Sequence, residues 1–430
     1  MKERTTTGSA FLHFGHFKAG VRDPVIADFE ATMAHIPYAT GYSPQRWQHV
    51  VDFELLKREG VYRPETFRTI QLYEPDFNQN NRLLGRETMA HAERYGTLAV
   101  EQYGSRKNLS AILHAVNKVL SFDLIRQYKT PAALCSNDAK SCYDRIIHSV
   151  ASLCFQHQGV PEPPLVCMLS TLQNMEHTIR TAYGDSTQSY GGSTWATPLA
   201  GLAWGNKEEG PMSGMGQGNG AAPASWAVIS TPMLDIMRKR GHCTIFKALI
   251  SGDELKIVGF AFVDDKDLLR ASRPGEQTYH EVAQDMQNGL DLWEGLLKAT
   301  GGALVPEKSY WYLIDFKWHN RAWRYSTTEE PPFDLTMKDK DELWHILSRL
   351  PVDEARRSLG CWSAPDGNNK EQVNYMRSVA VEWGDKLRAG HLTKYEAWTA
   401  LSTRVMKTLL YAAPALPSRT RKRTILWLQS

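Results

Sequence analysis

The sequence predicts an α+β protein built from two or three packed subdomains. Strand-like segments of β-branched and aromatic residues alternate with segments whose apolar residues recur at helical spacing. A length of 430 residues exceeds what one simple core usually serves. Hydrophobic residues make up 42% of the chain and charged residues 23%, which is ordinary for a globular protein and argues against extensive disorder.

The first half of the chain predicts three strands, a helical region before the third strand, and then a helix and a hairpin. These segments run over residues 47–55, 67–72, 78–120, 131–135, 144–156 and 176–192. Residues 1–45 show little periodicity. In the helix after the third strand, Ile147, Val150 and Cys154 share one face. Gly184-Asp185-Ser186 is typical of the turn of a hairpin.

The second half predicts a glycine-rich loop, a helix, an apolar hairpin and a long helix. The corresponding residues are 193–220, 224–240, a strand over 255–262 with a return through Leu269, and 280–299. The hairpin is expected to turn at Asp264–Asp265. Apolar residues at helical spacing mark the long helix, namely Val282, Met286, Leu290, Leu292 and Leu296. Gly301–Gly302 ends it, and beyond a linker candidate at 364–369 the pattern is helical.

Composition excludes several classes of protein. No apolar run approaches the roughly 20 residues that span a bilayer, and Met1–Ala10 lacks a secretory apolar core. We therefore expect an intracellular protein, in the nucleus or the cytoplasm, without membrane contact. The six cysteines include no C-x-x-C pair, which disfavours zinc and disulfide frameworks. A net charge of +3 is too small to indicate a nucleic-acid partner by itself.

Asp264 and Asp265 lie between apolar segments, Ile257–Val263 before them and Leu268–Leu269 after them. Two carboxylates about 4 Å apart repel by about 4 kcal/mol at an effective dielectric of about 20. A bound divalent cation removes that repulsion, so the pair is a candidate metal site. An exposed turn is the alternative, because aspartate is common in turns.

A two-metal site needs a further carboxylate from elsewhere in the chain. Asp138 is the best candidate, because it follows the predicted strand at 131–135 and precedes a predicted helix. A metal ligand at a strand end and an N-terminal helix cap are the two interpretations of this aspartate.

The segment Gly214–Pro223 is rich in glycine and contains a G-x-G-x-x-A stretch, the spacing of a dinucleotide-binding loop. The polar residues Asn206–Gly210 before it form no strand, which disfavours that assignment. The glycines would instead let the backbone approach a ligand closely, with Gln217 presented to it.

Taken in order, these segments resemble the motifs of reverse transcriptases, closest to the non-LTR retrotransposon type. Asp138-x4-Tyr143-Asp144 resembles the first palm motif, Gly214–Pro223 the second, and Phe262-Val-Asp-Asp265 the third. Four further segments are similar to the fourth palm motif, the primer-gripping hairpin, the fingers motif and a Q-x-G-x-R stretch. They are Gly301–Lys308, Leu359–Gly360, Phe67–Ile70 and Gln102–Arg106.

The resemblance covers roughly residues 40–415 and implies a right-hand polymerase fold. Its parts would be an N-terminal extension, fingers, a palm with a long insertion around 157–212, and an incomplete helical thumb. Their predicted bounds are 1–45, 46–130, 131–363 and 364–430. The implied partners are an RNA template, a DNA primer and deoxynucleoside triphosphates.

The resemblance also implies two Mg²⁺ ions, with Mn²⁺ as the alternative. Asp138 would bridge both ions, and Asp264 would be the second ligand. Asp265 would support them less directly, because successive strand side chains point to opposite faces. The carbonyl of Ala139 would complete the second site, and Lys308 would protonate the leaving pyrophosphate.

Other residues would hold the nucleotide and the nucleic acid. Lys57 and Arg68 would contact the triphosphate, although each is otherwise an ordinary surface charge. Tyr143 would lie under the sugar and exclude a 2′-hydroxyl. The remaining predicted contacts are Gln217 and Gly218 for the nucleotide, Leu359 and Gly360 for the primer, and Arg404, Lys407 and the run Arg419–Arg423 for duplex phosphates.

The chain departs from the family pattern in three ways. Gly216 replaces the usual proline, which is expected to loosen the turn. About 126 positions separate the first aspartate from the pair, and the extra length is expected around Ser193–Glu209. Lys266 follows the pair directly and is placed to form an ion pair with Asp264 or Asp265.

Two alternatives to an active reverse transcriptase stay open. An RNA-directed RNA polymerase shares the palm plan, although the bulk of Tyr143 predicts rejection of ribonucleotides. A silent or truncated retroelement relic would only bind nucleic acid. No endonuclease segment, RNase H segment or Cys/His knuckle is expected in the chain.

Overall fold

The computed structural model describes residues 8–10, 12–57, 60–63, 66–140, 142–191, 214–248, 250–273, 275–330 and 332–416. Helices and strands alternate along them, which confirms the α+β class. The chain forms two compact units. The first unit comprises Met1–Ser105, Ala139–Ile236 and Glu294–Ala303, and the second comprises Arg106–Asp138, Met237–Trp293 and Leu304–Ser430. The predicted subdomain bounds stay predictions.

The helices and strands of the described residues are numbered in chain order. The α-helices are α1 (Phe14–Gly20), α2 (Pro24–Thr40), α3 (Pro75–Tyr95), α4 (Ala111–Tyr128), α5 (His148–His157), α6 (Glu162–Gln173), α7 (Ala222–Lys239), α8 (Tyr279–Ala299), α9 (Lys370–Ala389), α10 (Lys394–Ala400) and α11 (Met406–Leu410). The strands before residue 300 are β1 (His49–Leu56), β2 (Phe67–Leu72), β3 (Ala132–Asn137), β4 (Glu176–Thr181), β5 (Gly184–Gly191), β6 (Thr244–Lys247), β7 (Glu254–Ile257), β8 (Gly259–Phe262) and β9 (Asp265–Ala271). The later strands are β10 (Tyr310–Ile314), β11 (Phe316–His319), β12 (Ala322–Tyr325), β13 (Thr336–Lys338), β14 (Trp344–Ile346), β15 (Ser348–Arg349), β16 (Arg356–Ser358) and β17 (Cys361–Ser363).

The first unit is built on a four-stranded sheet in the order β2-β1-β4-β5. Strand β1 is antiparallel to β2 and parallel to β4. Asp52 on β1 is only 1% exposed. His177 Nδ1 on β4 lies 3.0 Å from Asp52 Oδ2, and the hydroxyl of Tyr190 on β5 donates to the same oxygen. One buried carboxylate thus links three strands, which satisfies polar groups that would be costly to bury alone.

The second unit is built on a five-stranded sheet in the order β15-β10-β3-β9-β8. Strand β3 lies at its centre, antiparallel to both β10 and β9. Residues 132–135 of β3 are fully buried, as expected for a strand covered on both faces. This result confirms the predicted strand at 131–135, and the strand continues to Asn137.

Other elements confirm the predictions from the sequence, with small shifts in their bounds. Helices α7 and α8 and the β4–β5 hairpin form where predicted, although the hairpin turns at Ala182–Tyr183, ahead of Gly184. In α8, Trp293 and Leu297 are buried, whereas Leu292 and Leu296 are half-buried. Helix α5 begins at His148, and its buried residues His148, Ala151 and Phe155 replace the predicted face. Ile147 is 37% exposed.

The strand predicted over 255–262 is two strands in different sheets. Strand β7 pairs with β6, whereas β8 pairs with β9. Gly259 begins β8 so close to β9 that an added Cβ would collide with the carbonyl oxygen of Asp267. A continuous apolar run does not reveal such a switch of partner, because both halves satisfy the same pattern.

Residues 1–45 also differ from expectation, because they contain α1 and α2. Asp23 caps α2 by accepting from the backbone N–H groups of Val25 and Ile26 at 2.9 and 3.2 Å. Pro24 occupies the first turn, where its missing N–H costs nothing. These end signals are clear in the sequence even though the apolar periodicity is weak.

The predicted linker at 364–369 precedes α9, and the chain stays helical through α11. A π-helical turn, Leu401–Val405, joins α10 to α11. Four of the six cysteines are buried, and all six are free thiols. Within the described part of the chain, no helix combines the length and apolar character needed to cross a membrane.

Candidate active site

The predicted catalytic aspartates of the second unit lie at one end of its central sheet. Asp138 follows β3 directly, and Asp264 and Asp265 lie where the β8–β9 hairpin turns. The β3–β9 register pairs Asn137 with Lys266, so one step further along each strand brings Asp138 opposite Asp265. The helix-cap alternative for Asp138 is wrong, because the next α-helix is capped at Ile147.

Val263 and Asp264 form the two-residue turn of the β8–β9 hairpin, since Phe262 pairs with Asp265. The turn therefore lies one residue before the predicted position. Val263 has a φ of +58°, which costs a β-branched residue about 1–2 kcal/mol. The ladder of β8 and β9 offsets this strain and holds Asp264 at the tip of the hairpin.

The carboxylates at this end of the sheet repel one another. Although Asp265 reaches the surface, the protein around it excludes solvent and raises its pKa to about 6. Repulsion from Asp264, Asp267 and Asp138 adds to this rise in the pKa, and Lys118 partly opposes it. A concentration of negative charge of this kind is what a bound cation would relieve.

Lys308, the predicted proton donor, contacts Asp138 directly. Its Nζ donates to Asp138 Oδ2 at 2.8 Å, and the two side chains are 69% and 26% exposed. The N–H of Val305 donates to the carbonyl of Asp138 at 3.0 Å, which joins the predicted fourth motif to the first. The structure therefore brings these two predicted site residues together.

The three aspartates supply the hard oxygen donors that Mg²⁺ prefers. Across the described residues, however, no three Asp, Glu, His or Cys side chains already converge as ligands of one ion. Asp138 instead accepts a hydrogen bond from Lys308. The donor chemistry fits a divalent cation, but the side chains would have to draw together around it.

Helix α4 contributes a buried ion pair that the sequence did not predict. Lys118 Nζ lies 2.7 Å from Asp267 Oδ2, with side chains 5% and 4% exposed. Burial is the largest single effect and opposes both charges. The neighbouring charges and hydrogen bonds together outweigh it, so the pKa of Lys118 is raised and that of Asp267 is lowered. His114 lies one turn earlier, and burial lowers its pKa to about 4. The sequence signal for this buried pair was a lysine inside the largely apolar segment Ala111–Phe122.

Lys266 turns into the core of the second unit. The residue is 5% exposed, and its Nζ lies 3.5 Å from the ring centroid of Trp293. Such cation–π contacts are favourable, more so when desolvated. The contact established for this ammonium is thus with Trp293, and the ion pair with Asp264 or Asp265 stays a prediction.

In the first unit, the glycine-rich loop packs against β2 and α3. The N–H of Gln71 donates to the carbonyl of Gln217 at 2.7 Å. The side chain of Asn78 donates to the carbonyl of Gly218 at 3.0 Å and accepts from the N–H of Gly220 at 2.6 Å. Gln71 and Asn78 are thus two supports of the predicted nucleotide-binding loop that its motif does not reveal.

Gly216 has a φ of +68°. Proline is locked near −65°, so the proline that is usual in the motif that this loop resembles does not fit this backbone. A Cβ at position 216 would also collide with Gln71 and Tyr73. The expectation that glycine loosens this turn is therefore wrong, since glycine is what permits the tight turn.

Tyr143 and Asp144 lie in a short 3-10 turn, Cys142–Arg145, beside that loop. The N–H of Met215 donates to the carbonyl of Tyr143 at 2.7 Å, and Gln217 Nε2 lies 3.4 Å from Asp144 Oδ2. Burial raises the pKa of Asp144 to about 6, aided by Asp52 and opposed by Gln217 and Lys57. The structure thus brings Tyr143, Gln217 and the charge of Lys57 into one neighbourhood.

Lys57 and Arg68 lie at the same end of the β1–β2 hairpin. Arg68 pairs with Leu55 in the register, and Lys57 follows β1 by one residue. Alternation along the strand places residues 55, 57 and 68 on one face, and all three are exposed. The two predicted triphosphate contacts are therefore exposed on the same face of the hairpin.

Leu359 and Gly360, the predicted primer grip, form the turn between β16 and β17 with φ of +50° and +86°. The hydroxyl of Tyr411 donates to the carbonyl of Leu359 at 3.0 Å. A cleft of about 450 Å³ beside this turn is lined by Arg357, Arg404 and Lys407. Two of these cations are predicted phosphate contacts, and Arg357 adds a third; the run at 419–423 lies outside the described residues.

Replacing Lys118 with methionine is expected to lower the free energy of unfolding by about 3–5 kcal/mol, because Asp267 would stay buried without its partner. The measurement is urea unfolding followed by circular dichroism. The double variant Lys118→Met/Asp267→Leu is the matched control and should recover most of the loss. A single variant within about 1 kcal/mol of the parent would contradict the assignment of a buried pair.

Replacing Asp144 with asparagine is expected to stabilise the protein only at higher pH. Because the folded pKa of about 6 lies above the usual 3.8, ionisation of Asp144 opposes folding; this cost is absent below about pH 4 and complete above about pH 6. After discounting for exposure, the gain above pH 7 should be about 1 kcal/mol. Unfolding of both proteins at pH 4 and pH 8 tests this, and an equal gain at both would contradict it.

The chain matches no model of a known protein family, and no curated protein is significantly similar to it in sequence. Among solved structures, it has partial likenesses to telomerases and to a viral polymerase. Telomerase from Candida albicans, in complex with a fragment of telomeric RNA, has 12% identity and a TM-score of 0.41 over 85% of this chain and 54% of that chain. Telomerase from Candida tropicalis, truncated from its C-terminal domain, has 12% identity and a TM-score of 0.41 over 71% of this chain and 56% of that chain. The RNA-dependent RNA polymerase of a human picobirnavirus, with an insertion loop deleted, has 14% identity and a TM-score of 0.35 over 64% of this chain and 44% of that chain. The chain spans about half the length of these telomerases.

Proposed function

We propose that this chain is a nucleic-acid polymerase that copies RNA into DNA by two-metal nucleotidyl transfer, on the right-hand polymerase plan that its motifs resemble. The observation that carries the proposal is the β3–β9 register, which sets Asp138 opposite Asp265 and beside the turn that holds Asp264. Carboxylates from distant parts of the sequence thereby meet at one sheet end. The raised pKa of Asp265 supports their mutual proximity.

In this proposal, Asp138 and Asp264 are the principal ligands of two Mg²⁺ ions, with Asp265 and the carbonyl of Ala139 in support. Bound there, the ions would activate a primer 3′-hydroxyl and neutralise the pyrophosphate. Lys308 Nζ lies 2.8 Å from Asp138 Oδ2. This proximity to a proposed metal ligand supports the proposed role of Lys308 as the proton donor to a leaving pyrophosphate.

The proposal assigns the nucleotide contacts to residues of the fingers motif and of the first two palm motifs that the sequence resembles. Lys57 and Arg68 present two cations on one face, which suits a triphosphate. Tyr143 would exclude a 2′-hydroxyl, and Gln217 and Gly218 would line the nucleotide on a loop held by Gln71. The sequence-tolerant grip on primer and RNA template would come from the Leu359–Gly360 turn and the cationic cleft beside it.

Extension of a DNA primer on an RNA template, with Mg²⁺ and dNTPs, tests the proposal. Replacing Asp264 with alanine should lower the extension rate by at least about 100-fold, because a metal ligand is worth several kcal/mol of transition-state stabilisation. Asp253→Ala, an exposed aspartate before β7, is the matched control and should extend primers like the parent. Equal rates for the parent and Asp264→Ala would exclude this chemistry.

A second candidate function is nucleic-acid binding without catalysis. The ion pair between Lys308 and Asp138 favours it, because it engages a carboxylate that a metal ion would need. The two candidates differ in the response to metal. A polymerase core should melt at a higher temperature with millimolar Mg²⁺, and Asp264→Ala should lose that shift, whereas a relic should show none.

Choice of nucleotide separates DNA synthesis from RNA synthesis. The parent should use dNTPs and reject rNTPs, and Tyr143→Ala should raise rNTP incorporation by about 10-fold or more, since one lost steric clash is worth over about 1.4 kcal/mol. Tyr143→Phe keeps the bulk and should behave like the parent. Efficient rNTP use by the parent would assign the chain to RNA-directed RNA synthesis instead.

A further inference from the structure

The hairpin β11–β12 of the second unit is a separate two-stranded sheet. Its turn is Asn320–Arg321, with φ of +47° and +63°, the two-residue geometry that suits the twist of a hairpin. The register pairs Phe316 with Tyr325 and Trp318 with Trp323. Because side chains alternate along a strand, all four aromatic residues share one face.

This aromatic face changes from half-buried at its base to open at its tip. The rings of Phe316 and Tyr325 lie 5.1 Å apart and are half-buried. The rings of Trp318 and Trp323 are T-shaped, 5.3 Å apart at 72°. Yet these two residues stay 61% and 51% exposed. The cross-strand contact contributes to hairpin stability, but it leaves both indoles open to solvent. Adjoining exposed aromatic rings are a candidate interaction surface.

The charged residues within the hairpin itself are all cationic. Residues 316–325 contain Lys317, Arg321 and Arg324 and no acidic residue. On the opposite face, Glu330 lies 3.1 Å from Lys317 and 3.3 Å from Arg324 and so ties these two cations back. On the aromatic face, Lys129 Nζ lies 5.0 Å from the Phe316 ring. The open aromatic surface is therefore bounded by an ammonium at its base and by Arg321 at its tip.

The next hairpin along the sequence differs from β11–β12 in its charges. The hairpin β13–β14 also exposes a tryptophan, Trp344, at 60%. Lys338 Nζ lies 4.9 Å from the centroid of this ring, but the turn of the hairpin carries three acidic residues, Asp339, Asp341 and Glu342, against one lysine, Lys340. Exposure of one indole is thus common to both hairpins, whereas a paired aromatic surface framed by cations belongs to β11–β12.

We propose that Trp318 and Trp323 form a stacking platform for the unpaired bases of a single-stranded nucleic acid, with Lys129 and Arg321 contacting its phosphates. Every base has a π-face, so stacking on tryptophan is tolerant of sequence, and flanking cations attract the backbone. A protein partner is the alternative occupant, but the cations that frame these exposed rings favour a polyanion with aromatic groups, which is what a single-stranded nucleic acid offers. The proposal does not rest on nucleotidyl transfer, because binding needs none of the catalytic aspartates.

Fluorescence anisotropy with labelled oligo(U) RNA and oligo(dT) DNA of about 12 nucleotides tests the platform on the full chain. The double variant Trp318→Ala/Trp323→Ala should raise the Kd by about 10-fold or more, since each stacked base contributes about that factor. If affinity falls for both the RNA and the DNA, the platform binds single strands in general. If it falls for only one of them, that nucleic acid is the one the platform binds. Arg321→Ala should weaken binding more modestly and flatten its dependence on salt.

Three further proteins make the result decisive. Trp318→Tyr/Trp323→Tyr keeps an aromatic pair and should restore most of the affinity, which separates stacking from loss of the hairpin. Trp344→Ala and Asp253→Ala should bind like the parent, and binding is measured without Mg²⁺ or dNTPs, so failure of the platform and failure of the proposed polymerase activity are distinguishable. Unchanged affinity in the double alanine variant, on both RNA and DNA, would overturn the proposal and leave a protein as the occupant to seek.

Discussion

The register of β3 against β9 is the constraint on which the rest of the candidate site depends. It pairs Ala132 with Ala271 and Asn137 with Lys266, and every important side chain follows from it. A slip of one residue would turn each side chain to the other face of the sheet. Asp138 would then no longer oppose Asp265, Asp267 would turn away from α4, and Lys266 would leave Trp293. The carboxylate cluster is thus a property of the pairing and not of any one motif.

The Lys118–Asp267 ion pair explains why that register is favoured over others. Both groups are almost fully buried, so any pairing that separated them would leave a charge without a partner in a medium of low polarity. The same pair sets the electrostatic background of the site, because Asp267 raises the pKa of Asp265 and Lys118 lowers it. The charges of the buried pair and of the three aspartates at the sheet end therefore influence one another. Within this group, Lys118 neutralises Asp267 inside the protein.

The sequence predicted this architecture wherever the local pattern was sufficient. The central strand β3, the helices α7 and α8 and the Asp264 turn follow from apolar runs, helical spacing and turn residues. The partner switch between β7 and β8 was not predictable, since one apolar run satisfies both sheets. Lys118 was missed for a different reason: its partner lies 149 residues away, and a pattern within one helix cannot name it. Helix α2 was missed because several apolar residues stay exposed there, including Val25 at 78% and Phe29 at 61%, which blurs the amphipathic signal.

The left-handed backbone at Gly216 bears on protein engineering by consensus. Such designs replace an unusual residue with the commonest one among relatives and usually gain stability. At this position the commonest residue in the resembling family is proline, whose ring cannot adopt the observed φ. The backbone conformation at position 216, and not only its side chain, therefore excludes proline. A designer who works from sequences of the resembling family should keep glycine at this position.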